Sequence, residues 1–192
     1  MKAFLNFLKK IEKEKDLNKS LLVLAVASVL ITAASLIGAS TLTEFSEFSL
    51  PTEMTASAAV VLFFLLFIGG LILGAIVSSV TKILGYKGQY FHGISVISYP
   101  LFFFSIGIII TALLGYLGYG GSVIAFFVLL YFNTLAVTSF FKLFMDFYKT
   151  NLVSTCILGL IVWTIFALSL SLSGLVSVPT VLKQLSAYLP LQ

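Results

Sequence analysis

SAAVVLFFLLFIGGLILGAIVSSV, residues 57–80, runs for twenty-four residues without a lysine, arginine, histidine, aspartate or glutamate. A helix rises ~1.5 Å per residue, so this stretch reaches about 36 Å as a helix, enough to cross a hydrocarbon core of about 30 Å. Four other stretches share the property: 21–42, 94–117, 122–141 and 152–176. None of the five contains Lys, Asp or Glu. The chain is 60% hydrophobic and 9% charged over 192 residues, whereas a soluble domain carries charge on about a quarter of its residues. The solvent implied is lipid. Backbone N–H and C=O groups in hydrocarbon must then be paired within the segment, which calls for helices. A β-barrel would read as ~10-residue alternating segments, and these runs are continuous and longer. The expected fold is all-α: a polytopic membrane bundle of five transmembrane helices, preceded by an amphipathic interfacial helix. The expected organisation is a helix over 1–19, the bundle over 20–177 and an outer-face tail over 178–192.

Lysine placement sets the expected orientation. All eleven basic residues are lysine. With the N-terminus inside, Lys2, Lys9, Lys10, Lys13, Lys15, Lys19, Lys82, Lys87, Lys142 and Lys149 fall on one side, and only Lys183 falls on the other, with Glu44, Glu47 and Glu53. Positive charge retained inside predicts a cytoplasmic N-terminus and an outside C-terminus. The first span is too long, and its charged flank too mixed, for a cleaved leader.

Before that span, Phe4, Phe7, Leu8 and Ile11 recur at i, i+3, i+4 and i+7, with Lys9, Lys10 and Lys13 pointing elsewhere. This predicts an amphipathic helix lying in the membrane plane, anchoring the bundle or recruiting anionic lipid or a protein. Val181, Leu182, Leu185 and Leu189 predict a shorter helix on the outer face.

Groups that carry chemistry are few. His92, the single histidine, is placed in the loop between the second and third spans, with no second histidine and no nearby cysteine to complete a zinc site. Cys156 lies inside the last run as a small packing residue. No catalytic residue, metal or cofactor is expected, and no nucleic-acid partner. The spans also lack the ionisable residue that coupled transporters place in the membrane. Their polar content is small. Gly70 and Gly74 form a GxxxG continued by Ser78, and Thr155, Gly159, Phe166, Ser169, Ser173 and Ser177 follow one face of the last span; such stripes let helices approach closely. Asn133, mid-way along the fourth span, is expected to hydrogen-bond to another helix. Gly118-Tyr-Gly-Gly121 is expected to turn the chain between the third and fourth spans.

The densest group of marked residues is Gly85-Tyr-Lys87-Gly88-Gln-Tyr-Phe91, then Ser98-Tyr99-Pro100-Leu101. The glycines permit a tight basic turn. Pro100 inside a span frees the Val96 carbonyl and favours a kink, which Ser98 and Tyr99 could re-satisfy. This turn followed by Tyr-Pro resembles the Yip domain family, the Ypt/Rab-interacting membrane proteins with bacterial and archaeal members. The resemblance implies five spans, a cytoplasmic N-terminus and a C-terminus on the far side. The Asp-Leu-Tyr-Gly-Pro motif of eukaryotic members is missing and the arm before the first span is short, which argues against a GTPase partner and for a prokaryotic-type member in a cell membrane.

Two functional readings follow, with a membrane enzyme a distant third. One is a non-enzymatic Yip-like protein that organises membrane or partner proteins, its partners being the lipid bilayer, other membrane proteins or itself. The other is a small transporter, channel or permease subunit, with Asn133 and the Pro100 kink lining a path.

Overall fold

The computed structural model describes residues 2–13, 16–45, 52–86 and 89–172. They form six helices: α1 (Lys2–Lys13), α2 (Leu17–Phe45), α3 (Thr52–Ile83), α4 (Tyr90–Gly115), α5 (Gly118–Tyr148) and α6 (Leu152–Leu172), with no strand among the described residues. Four helices are long and apolar enough to cross a membrane, over Leu17–Gly38, Ala56–Ile83, Tyr90–Gly115 and Gly120–Tyr148; α6 adds a shorter apolar stretch over Leu152–Val162. The chain is a multi-pass helical membrane protein. The helix expected at the far C-terminus lies outside the described residues.

α4 is the hub, packed by α2, α3 and α5. Hydrocarbon offers no hydrophobic drive between helices, so close fit and hydrogen bonds must hold them together. Small residues supply the fit. A Cβ on Gly70 would stand 2.6 Å from Leu24 of α2, and one on Gly107 would stand 2.6 Å from Phe132 of α5. Gly74 and Gly93 meet where α3 crosses α4, and a Cβ on Gly93 would run into the Gly74 carbonyl and the Ser78 hydroxyl. The Ser78 hydroxyl donates across this crossing to the Tyr90 carbonyl at 3.2 Å. Ser95 donates to the Phe91 carbonyl at 2.8 Å, so Ser20 of α2 is the donor in the buried 2.7 Å contact between the Ser20 and Ser95 hydroxyls. Elsewhere Ser28, Thr32 and Ser35 donate to carbonyls one turn back in α2, as hydroxyls in a low-dielectric surround do.

The turns differ from the expected ones. Between α4 and α5 the chain reverses at Tyr116 and Leu117, with Gly118 at φ +66°. Gly120 and Gly121 belong to the first turns of α5, and a Cβ on Gly121 would meet the Leu114 carbonyl. α3 ends through Gly85 at φ +83°, with Gly85 N–H bonded to Lys82 O and Tyr86 N–H to Thr81 O, the left-handed stop that glycine accepts at least cost. α5 ends in the same way on Lys149 at φ 52°, a conformation disfavoured for a side chain with a Cβ. Two side chains cap the helices that follow: Asp16 Oδ1 accepts from Asn18 N–H at 3.0 Å, and Asn151 Oδ1 from Ser154 N–H at 2.8 Å.

Candidate functional site

The lysine-bearing end of the bundle gathers α1, the α3–α4 turn and the end of α5. The apolar face of α1 is spent there on protein. Leu8 and Ile11, 0% and 3% exposed, join a core cluster with Tyr99, Leu143, Phe144, Phe147 and Tyr148. Phe4 meets Phe103 edge-on at 5.2 Å, and Phe7 meets Tyr99 at 6.3 Å and Phe103 at 6.1 Å. The in-plane helix expected on lipid is therefore docked on α4 and α5, because their aromatic side chains present a matching apolar surface. Lys9 and Lys10 stay exposed.

His92 is not a loop residue. It sits in the first turn of α4, where its Nδ1 accepts the Gln89 N–H at 3.0 Å, the bond a Glu or Gln makes in a capping box. That bond requires a ring without a proton on Nδ1. The ring stacks on Phe147 at 4.5 Å and 25°, and Phe91 meets the same Phe147 edge-on at 6.4 Å. Phe91 is buried, while Tyr90 is exposed. Asp146 lies in the last turn of α5. Its Oδ1 takes the Lys142 ammonium at 2.8 Å, and its Oδ2 and the Tyr148 hydroxyl are buried without a hydrogen bond. Among the described residues no group of three His, Cys, Asp or Glu could hold a metal ion.

The residues singled out in the sequence divide between places. Gly85 and Phe91 belong to this end; Lys87 and Gly88 lie outside the described residues. Tyr99 is in the core beneath α1. Pro100 lines an apolar groove of about 370 Å³ between α4 and α5, with Val96, Leu101, Ala136, Val137 and Phe140. Ser98 donates to Ser95 at 3.4 Å rather than to Val96, so it does not re-satisfy the carbonyl that Pro100 frees. A second apolar groove, of about 420 Å³, lies between α2 and α3. Gly70 and Gly74 are helix contacts as described. Thr155 is buried, bonded to Thr150 at 2.8 Å, and Gly159 faces Phe140; Cys156 is exposed on α6. Ser173 and Ser177 lie outside the described residues.

Asn133 departs most from expectation. Its side chain is exposed on the outer surface of α5 and makes no hydrogen bond to another helix. The inward positions of α5 are Ala125, Ala136, Ser139 and Leu143, which fixes Asn133 on a different face. Neither groove reaches it.

No family model, curated protein or solved structure matches the chain.

Proposed function

We propose that the chain is a non-enzymatic membrane scaffold of the prokaryotic Yip type. It sits in the cell membrane as five spans, N-terminus and lysine-bearing end in the cytoplasm, C-terminus outside. That end holds partner proteins or anionic headgroups. The observation that carries this is the arrangement around α1: its apolar face packs on α4 and α5, while Lys9, Lys10, Lys82 and Lys149 are exposed at the same end of the bundle, as are Ile83, Leu84 and Tyr90. Lysines near a cytoplasmic leaflet contribute about 1 kcal/mol each toward anionic lipid, and the exposed apolar side chains add contact area. Two of the residues that carry the Yip resemblance support the same reading: Gly85 forms the α3–α4 turn at this end, and Tyr99 lies in the core on which α1 rests. His92 has its Nδ1 committed to a cap, which speaks against a catalytic base. Against a conduit, Asn133 faces outward and both grooves are apolar and open sideways.

The test is recovery of native partners from membranes in mild detergent, comparing the wild-type chain with Lys9→Ser/Lys10→Ser. A defined set of membrane proteins that is lost from the double variant is the expected result. If nothing is recovered, and proteoliposomes instead show a solute flux, the scaffold reading fails and the transporter reading takes its place.

A further inference from the structure

We propose that two copies of this chain pair in parallel along the outer face of α5, with their Asn133 amides hydrogen-bonded to each other at the centre of the seam. The inference rests on the membrane-spanning reading and deepens the scaffold proposal by naming one partner, a second copy.

The first support is the amide itself. Asn133 lies near the middle of the Gly120–Tyr148 span, exposed, with no hydrogen bond to another helix. An amide left unpaired in hydrocarbon is costly. Its neighbour shows the contrast: the Thr134 hydroxyl donates to the Leu130 carbonyl at 2.8 Å and so satisfies itself within α5. Asn133 needs an outside partner.

The second support is spacing. Val123, Phe126, Leu130, Asn133 and Val137 are all exposed, and they alternate steps of three and four. That is the period of a left-handed two-helix seam, in which a single buried Asn fixes register and oligomer state at a cost in stability. The opposite side of α5 is already occupied by α4, through Gly107 against Phe132 and through Thr111, whose hydroxyl donates to the Ala125 carbonyl at 3.3 Å.

The occupant follows from chemistry and geometry together. An amide carries donors and an acceptor, so it is complementary to itself. Copies inserted with the same topology bring Asn133 to the same depth without further adjustment. A two-fold axis along the membrane normal then makes the contact isologous, which is the commonest way for identical chains to close an assembly.

The experiment uses the full chain in native membranes, with single cysteines in a Cys156→Ala background. Oxidation should yield disulfide-linked dimers from Leu130→Cys and Val137→Cys, with Asn133 intact. Tyr131→Cys, on the neighbouring stripe, and Ile72→Cys, on the exposed surface of α3, should yield much less. Dimers from the seam no more abundant than from Ile72→Cys would overturn the pairing. In detergent, energy transfer between labelled copies should show Asn133→Leu weakening dimer Kd about threefold or more, from ~0.6 kcal/mol per interhelical hydrogen bond, with Asn133→Gln weakening it less. Equal Kd in all three proteins would remove the amide from the interface. A monomeric chain that still recovers other membrane proteins would overturn this inference and leave the scaffold standing.

Discussion

Gly93 meets Gly74 where α3 crosses α4, with main chain on both sides of the contact. A methyl at Gly93 would meet the Gly74 main-chain carbonyl as well as the Ser78 hydroxyl; the hydroxyl can turn away but the carbonyl cannot, so Gly93→Ala must part the helices, and overpacking of this kind costs about 1–3 kcal/mol or more. Gly69 has nothing within 4 Å of its would-be Cβ, and Gly69→Ala should be neutral or stabilising by up to about 1 kcal/mol, from helix propensity alone. Thermal unfolding in one detergent separates the two; equal shifts would contradict the crossing as described. Asn151→Ala removes the cap of α6 and should cost about 1 kcal/mol in the same assay. The GxxxG of Gly70 and Gly74 was readable because its period of four needs only the sequence. Gly93 was not, because its closeness to Gly74 is made by another helix and it falls just before the expected third span. His92 escaped for a related reason: it fills a capping position that the usual signature assigns to Glu or Gln.

At the scale of elements, the apolar runs located every long helix, with ends off by a few residues where the helices continue past the hydrocarbon. α3 begins at Thr52 and α5 ends at Tyr148, beyond the expected 57 and 141. Charge and amphipathic residues at those ends cost nothing to a helix that has already left the lipid. The period of α1 gave its apolar face, but a face does not name its partner. Lipid and the aromatic surface of α4 and α5 are both apolar. The structure chooses the second, and this sets the expected costs. Leu8→Ala removes a wholly buried side chain and should cost about 2–5 kcal/mol. Phe7→Ser, at a position 42% exposed, should cost less, and Lys10→Ser should stay within about 0.5 kcal/mol. Unfolding in detergent is the measurement; a Phe7 effect larger than that of Leu8 would put α1 back on the lipid. Likewise α5 is apolar almost all round, so periodicity could not tell which face turned inward, and the hydrogen bond expected from Asn133 to another helix of the bundle is not made.

For the whole molecule, the proposed orientation is open to direct labelling. Single cysteines at Ser46 and Gln184, with Cys156→Ala, should react with an impermeant maleimide on intact cells, and one at Gln89 should not. Reaction at Gln89 without reaction at Gln184 would reverse the orientation. The docking of α1 also has a consequence in time. Leu8 is made early, but the Phe144 and Phe147 side chains that enclose it follow ~140 residues later, which at 5–20 residues per second is a delay of roughly 7–30 s. Until both α4 and α5 have been made, the oily side of the first helix lacks the full surface it later rests on, and the headgroup layer is the shelter on hand. Lys9 and Lys10 suit a temporary berth among anionic lipids, from which the helix changes partner once α5 arrives. A nascent chain arrested before α5 should therefore hold its first helix at the membrane surface, and release from the arrest should move it onto the bundle.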